Sequence, residues 1–90
     1  MTVKLIIVIL SGADTENVIH KLLERDFRFT RLSSSGGFLR RGNTTLLIGI
    51  AAERVDEAIE TIRGAVETPA EPGHRGAMIF VLDVQRFEQL

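Results

Sequence analysis

Two apolar runs, Leu5-Ile6-Ile7-Val8-Ile9-Leu10 and Met78-Ile79-Phe80-Val81-Leu82, limit what this chain can fold into more than any other feature. Each is short, rich in β-branched residues and uninterrupted, which is the pattern of a buried strand. Successive side chains of a strand point to opposite faces, so a strand with one wet face alternates apolar and polar residues. These runs are apolar at odd and even positions alike. The sheet they build must therefore be covered on both faces.

The rest of the chain supplies cover for only one of them. Val3 to Leu10 is the first strand, and Ser11-Gly12-Ala13-Asp14-Thr15 offers a turn and an N-cap for a helix that runs to about Asp26. In that helix Val18, Ile19, Leu22 and Leu23 share a face. Arg28 to Ser34 reads as the second strand and Thr44 to Ile50 as the third, and these two can pair as a hairpin. Arg54 to Val66 is the second helix, with Val55, Ala58, Ile59, Ile62 and Val66 at helical spacing. Thr68 to Gly76 holds both prolines and reads as a loop, and Ala77 to Val84 is the last strand.

This βαββαβ order predicts an α+β, ferredoxin-like sandwich: a four-stranded antiparallel sheet with both helices on one face, formed as a single domain over residues 1–90. No spare segment remains for the other face, so the expected cover is further copies of the same chain. A charge placed at Ile7 or Val8 is expected to dissociate such an oligomer.

The segment joining the second and third strands carries the candidate chemistry. Ser33 to Thr45, SSSGGFLRRGNTT, packs glycines, a lone aromatic, two arginines and five hydroxyl-bearing residues between apolar stretches. Glycines let backbone N–H groups turn toward a ligand with no Cβ in the way, and such concavities hold phosphate oxygens well. From Phe27 to Ala52 there is no Asp or Glu, while Arg28, Arg31, Arg40 and Arg41 fall inside that window. With no local carboxylate to pair with, they point to an anion site around Gly36 and Gly37. Phe38 sits where no core pattern requires an aromatic and could stack on a base, enter a neighbouring subunit or tuck under the hairpin. Asn43 could read a nucleobase edge or cap a turn beside Gly42. Gly49, inside a strand, suggests close approach by a ligand or another backbone. Thr30, on the strand leading into the loop, is either a site residue or a plain β-former.

Composition removes other functions. A net charge of −1 argues against a DNA or RNA binder, and the charge is polarised instead. Glu53, Asp56, Glu57, Glu60, Glu67 and Glu71 outnumber Arg54, Arg63 and Arg75 after the arginine window. There is no cysteine, so disulfides, thiolate nucleophiles and cysteine metal sites are excluded. His20 and His74 lack metal-ligand spacing, the serines lack a nearby His or Asp, and no nucleophile elbow or Walker sequence is present, so no enzyme is expected. Leu5 to Leu10 is too short for a membrane span and follows a single positive side chain, so a strand and a cytosolic protein are expected rather than export.

The block TRLSSSGGFLRRGNTTLLIG, with KLIIVI at Lys4 to Ile9, RVDEAI at Arg54 to Ile59 and the ending IFVLDVQRFEQL, resembles the PII-like cyclic di-AMP receptors, trimeric signal-transduction proteins of bacteria. The resemblance implies a homotrimer with a ligand site at each subunit cleft, no enzymatic cofactor, and relay of binding through the 33–43 loop to a downstream protein. Carried onto this chain, the ligand contacts are Arg28, Thr30, Gly37, Phe38, Leu39, Asn43 and Gly49, with Phe80 lining the same cleft and Gly36 beside it. Two departures stand out. Asp26 occupies a position where better-known members carry Asn, and the segment between Val66 and Ala77 is much shorter than their long loop. Other expectations compatible with the fold are a different adenine nucleotide (ATP, ADP or AMP) as ligand, or a structural or metal-handling trimer resembling the divalent-ion tolerance proteins.

Overall fold

The computed structural model describes residues 2–32, 43–67 and 77–90. Its elements are β1 (Val3–Ser11), α1 (Gly12–Glu24), β2 (Thr30–Leu32), β3 (Asn43–Ala51), α2 (Val55–Ala65) and β4 (Ala77–Asp83), with a single 3₁₀ turn, Ala52–Arg54, leading into α2. The four strands lie in the order β2-β3-β1-β4, and every pairing is antiparallel. This is the expected ferredoxin-like α+β arrangement. β1 passes directly into α1 with no intervening loop. Ser11 is the N-cap in extended backbone, but its hydroxyl does not cap the helix; it donates to Asp14 Oδ2 at 3.2 Å.

Strand parity sorts the apolar residues. Ile6, Val8 and Leu10 of β1 and Leu46, Ile48 and Ile50 of β3 form one core with Val18 and Leu22 of α1 and Ala58, Ile62 and Ala65 of α2. Both helices therefore pack on the same face of the sheet. Val8 is fully buried there, in register with Leu46 and Ile79. It cannot serve as a subunit contact, which corrects the expectation that a charge at Val8 acts like one at Ile7. Only Ile7, on the opposite parity, looks away from the helices.

Two side chains of α1 pin the far end of α2. Asn17 Nδ2 donates to the Ala65 carbonyl at 2.7 Å, and the buried Asp14 accepts from the Glu67 backbone N–H at 3.0 Å through Oδ1. Helix ends leave carbonyls unpaired, so these bonds fix where α2 stops as well as how the helices sit. Arg54 does the corresponding work at the end of α1. Its guanidinium lies 4.3 Å from the centroid of the Phe27 ring and donates to the Arg25 carbonyl at 3.3 Å.

Candidate functional site

The face of the sheet away from the helices carries the odd-numbered residues of β1 and β3. Register turns it into rows. Thr30, Leu47, Ile7 and Phe80 form one row across all the strands; Leu32, Thr45, Ile9 and Met78 form the next; Gly49, Leu5 and Leu82 flank the first on its other side. At the far end of β3, Asn43 stands opposite Ser11. Apart from two threonines, the glycine and Asn43, the β2, β3 and β4 residues of this face are aliphatic, aromatic or thioether side chains. Phe80, Met78 and Leu82 are 46%, 46% and 47% exposed, respectively. Thr45 differs: it is buried, and its Oγ1 has no hydrogen-bond partner.

The turn out of α1 delivers the cationic residue. Asp26 has φ of 61°, the left-handed region, and its N–H donates to the Leu23 carbonyl at 3.1 Å while the Phe27 N–H donates to Leu22 at 2.9 Å. That pair of bonds is a Schellman ending, which closes a helix and brings an apolar residue back against it. Phe27 accordingly enters the core and Phe29 packs against it. Alternation then sends Arg28 and Thr30 to the open face. Continuing the β2–β3 register back from Thr30↔Leu47 sets Arg28 beside Gly49. A Cβ at Gly49 would meet nothing within 4 Å, so nothing inside the protomer requires a glycine there. Arg28 is exposed and, among the described residues, has no ion-pair or hydrogen-bond partner.

Arg31 departs from the sequence reading. It lies three residues after Arg28, hence on the opposite parity, and its Nη1 reaches Glu16 of α1 at 3.2 Å. Among the described residues the stretch without acids does leave Arg28 without a partner, but a carboxylate from α1 pairs with Arg31. Strand parity alone could have separated these two arginines, and it also singles out Leu47, the central residue of the Thr30–Phe80 row, which the sequence reading passed over.

The expected contacts do not gather at one point of the chain. Arg28, Thr30 and Gly49 cluster on the β2–β3 side. Phe80 lies across β3 and β1 at the opposite edge, roughly 14 Å from Thr30 at about 4.8 Å per strand. Asn43 lies six residues from Gly49 along β3, roughly 20 Å at about 3.3 Å per residue. Phe80 and Arg28 thus stand at opposite edges of one protomer's sheet. Gly36, Gly37, Phe38 and Leu39 lie outside the described residues, as do Arg40, Arg41 and His74. His20 sits on the exposed side of α1 facing Glu24 at 3.1 Å, and among the described residues no group of His, Asp or Glu is arranged to hold a metal ion. No helix is long and apolar enough to cross a membrane, among the described residues.

A four-stranded antiparallel sheet in the order β2-β3-β1-β4, backed by two helices on one face, defines a small protein of the ferredoxin-like α+β class. Residues 3–71 match the cyclic-di-AMP receptor family, and the chain belongs to that family. It is a member of a cyclic dinucleotide-binding signalling family. The fold is shared with a crystal structure of a functionally unknown protein from Pediococcus pentosaceus, 38% identical, with a TM-score of 0.81 over all of this chain and 99% of that one.

Proposed function

We propose that the chain works as a homotrimer that binds cyclic di-AMP at the seams between subunits, without catalysis, and relays occupancy through the 33–43 loop to a downstream protein in the cytosol. The carrying observation is the separation of Phe80 from Arg28, Thr30 and Gly49 across one sheet. One dinucleotide can touch both groups if the β4 edge of one copy meets the β2–β3 side of the next. The exposed apolar face supplies the drive for that assembly, since Met78, Phe80 and Leu82 stay about half exposed in the protomer.

The chemistry of each group suits the ligand. Arg28 offers a guanidinium to a phosphodiester, and Gly49 lets the ligand approach the backbone. Phe80 offers a ring face to an adenine, and Asn43 offers both a donor and an acceptor to a base edge. In this reading Gly36, Gly37, Phe38 and Leu39 complete the site.

Isothermal titration of the purified protein with cyclic di-AMP, paired with sedimentation at the same concentration, tests the proposal. One ligand per subunit in a trimeric species is expected. A protomer that stays monomeric, or no heat at high micromolar ligand, overturns it. ATP, ADP and AMP serve as comparison ligands in the same titration.

A further inference from the structure

Ser11-Gly12-Ala13-Asp14 has the residue pattern of a capping box, in which a hydroxyl accepts from the first turn of the helix and an acid reaches back to the cap. The structure turns these side chains to another use. The Ser11 hydroxyl makes no cap bond and donates to Asp14 Oδ2 at 3.2 Å, while Asp14 Oδ1 accepts from the Glu67 backbone N–H at 3.0 Å, 53 residues further along the chain. Asp14 is only 3% exposed, so both bonds lie where water does not compete, and bonds to a carboxylate are stronger than those to a neutral acceptor. Ser11 is held from the helix side too, because Thr15 Oγ1 donates to its carbonyl at 3.0 Å. Ser11 is the last residue of β1 and is in register with Asn43, the first residue of β3. A continuous chain of contacts thus runs from Asn43, an expected ligand contact, through Ser11 and Asp14 to the segment leaving α2.

We infer that Asp14 is a positioning residue that couples the ligand site to the exit of α2. This rests on the assignment of Asn43 to a cyclic di-AMP site. The Ser11 hydroxyl is the two-state element. Donating to Asp14, it holds the carboxylate where it meets the Glu67 N–H; turned to accept from the first turn of α1, as in an ordinary cap, it lets the carboxylate go and loosens the Glu67 N–H with it. A ligand that fixes Asn43 fixes its ladder partner Ser11 and favours the first arrangement. Linkage makes the effect reciprocal, so cutting the chain of contacts lowers ligand affinity by the factor with which the ligand had tightened the exit of α2.

The test is amide hydrogen exchange of the full chain with and without saturating cyclic di-AMP, read by NMR at Glu67 and, as a reference for global opening, at the buried Ile62. The variants are Ser11→Ala, which cuts the chain of contacts but leaves Asp14 to hold Glu67, and Ser11→Thr, which restores a hydroxyl. In the unaltered protein the ligand is expected to slow Glu67 exchange, relative to Ile62, by at least about fivefold. Ser11→Ala should still bind cyclic di-AMP by calorimetry, with affinity lower by the same factor, and should lose the ligand-dependent slowing at Glu67; Ser11→Thr should regain it. A purely structural Asp14 bond would leave the ratio of Glu67 exchange with and without ligand unchanged in Ser11→Ala, and that result overturns the inference. So does a Glu67 amide that ignores the ligand in an unaltered protein that binds it, and in both cases the cyclic di-AMP assignment stands. If calorimetry finds no binding to the unaltered protein, the assignment falls and the coupling falls with it.

Discussion

Ile7 and Val8 are neighbours with the same chemistry, and the structure assigns them opposite fates on substitution by glutamate. Val8 is fully buried between Leu46 and Ile79, against the helices. An unpaired carboxylate there is expected to cost several kcal/mol in desolvation, in a domain whose whole stability is on the order of 5–15 kcal/mol. Val8→Glu should therefore leave little folded protein at neutral pH. Ile7 lies on the open face between Leu47 and Phe80 and is only half-buried within the protomer, so its carboxylate can reach water in a single chain. There the loss falls on the assembly. About 1.5–3 kcal/mol of apolar burial disappears at each subunit, and charges gather where copies meet. Ile7→Glu is expected to remain helical, melt cooperatively and sediment as a protomer. Circular dichroism with urea titration reads the first variant, and sedimentation velocity the second. An Ile7→Glu protein that keeps the mass of the unaltered assembly would refute the assignment of this face to subunit contact. A stably folded Val8→Glu protein would refute the parity of β1.

Three further outcomes follow from the same geometry. Arg28→Ala should leave assembly intact and weaken cyclic di-AMP binding by roughly ten- to a hundredfold, the worth of about 1.5–3 kcal/mol for a charge-assisted hydrogen bond, as read by calorimetry; unchanged affinity removes Arg28 from the site. Gly49→Ala adds a Cβ that meets nothing within 4 Å inside the protomer and should hold its urea midpoint, yet weaken ligand heat; a large fall in protomer stability would show that Gly49 is structural. Asp14→Ala removes the carboxylate that accepts from the Glu67 N–H and the Ser11 hydroxyl, so urea unfolding should lose about 1–3 kcal/mol with an unchanged slope. A midpoint within error of the unaltered protein would show that this bond does not hold the end of α2.

Much of this protein follows from the order of its residues. Continuous β-branched runs, a helical period in Val18 to Leu22 and Val55 to Ile62, and the glycine-rich block specify the βαββαβ order, because these are local properties of chain and side chain. The demand for cover on both sheet faces is legible too, since parity is built into any strand. The family block also supplied the expected ligand contacts.

What the sequence left open concerns partners distant along the chain. That Arg31 meets Glu16, while Arg28 meets no partner among the described residues, depends on which face each reaches and on where α1 lies. That Asp26 adopts the left-handed region is decided by the paired bonds that close α1, Asp26 N–H to Leu23 and Phe27 N–H to Leu22. Phe80 and Thr30 share a row, yet the interposed β3 and β1 keep them at opposite edges. Strand order is a global choice, made by packing one core against both helices, and only that choice decides which residues of the open face lie side by side and which stand at opposite edges.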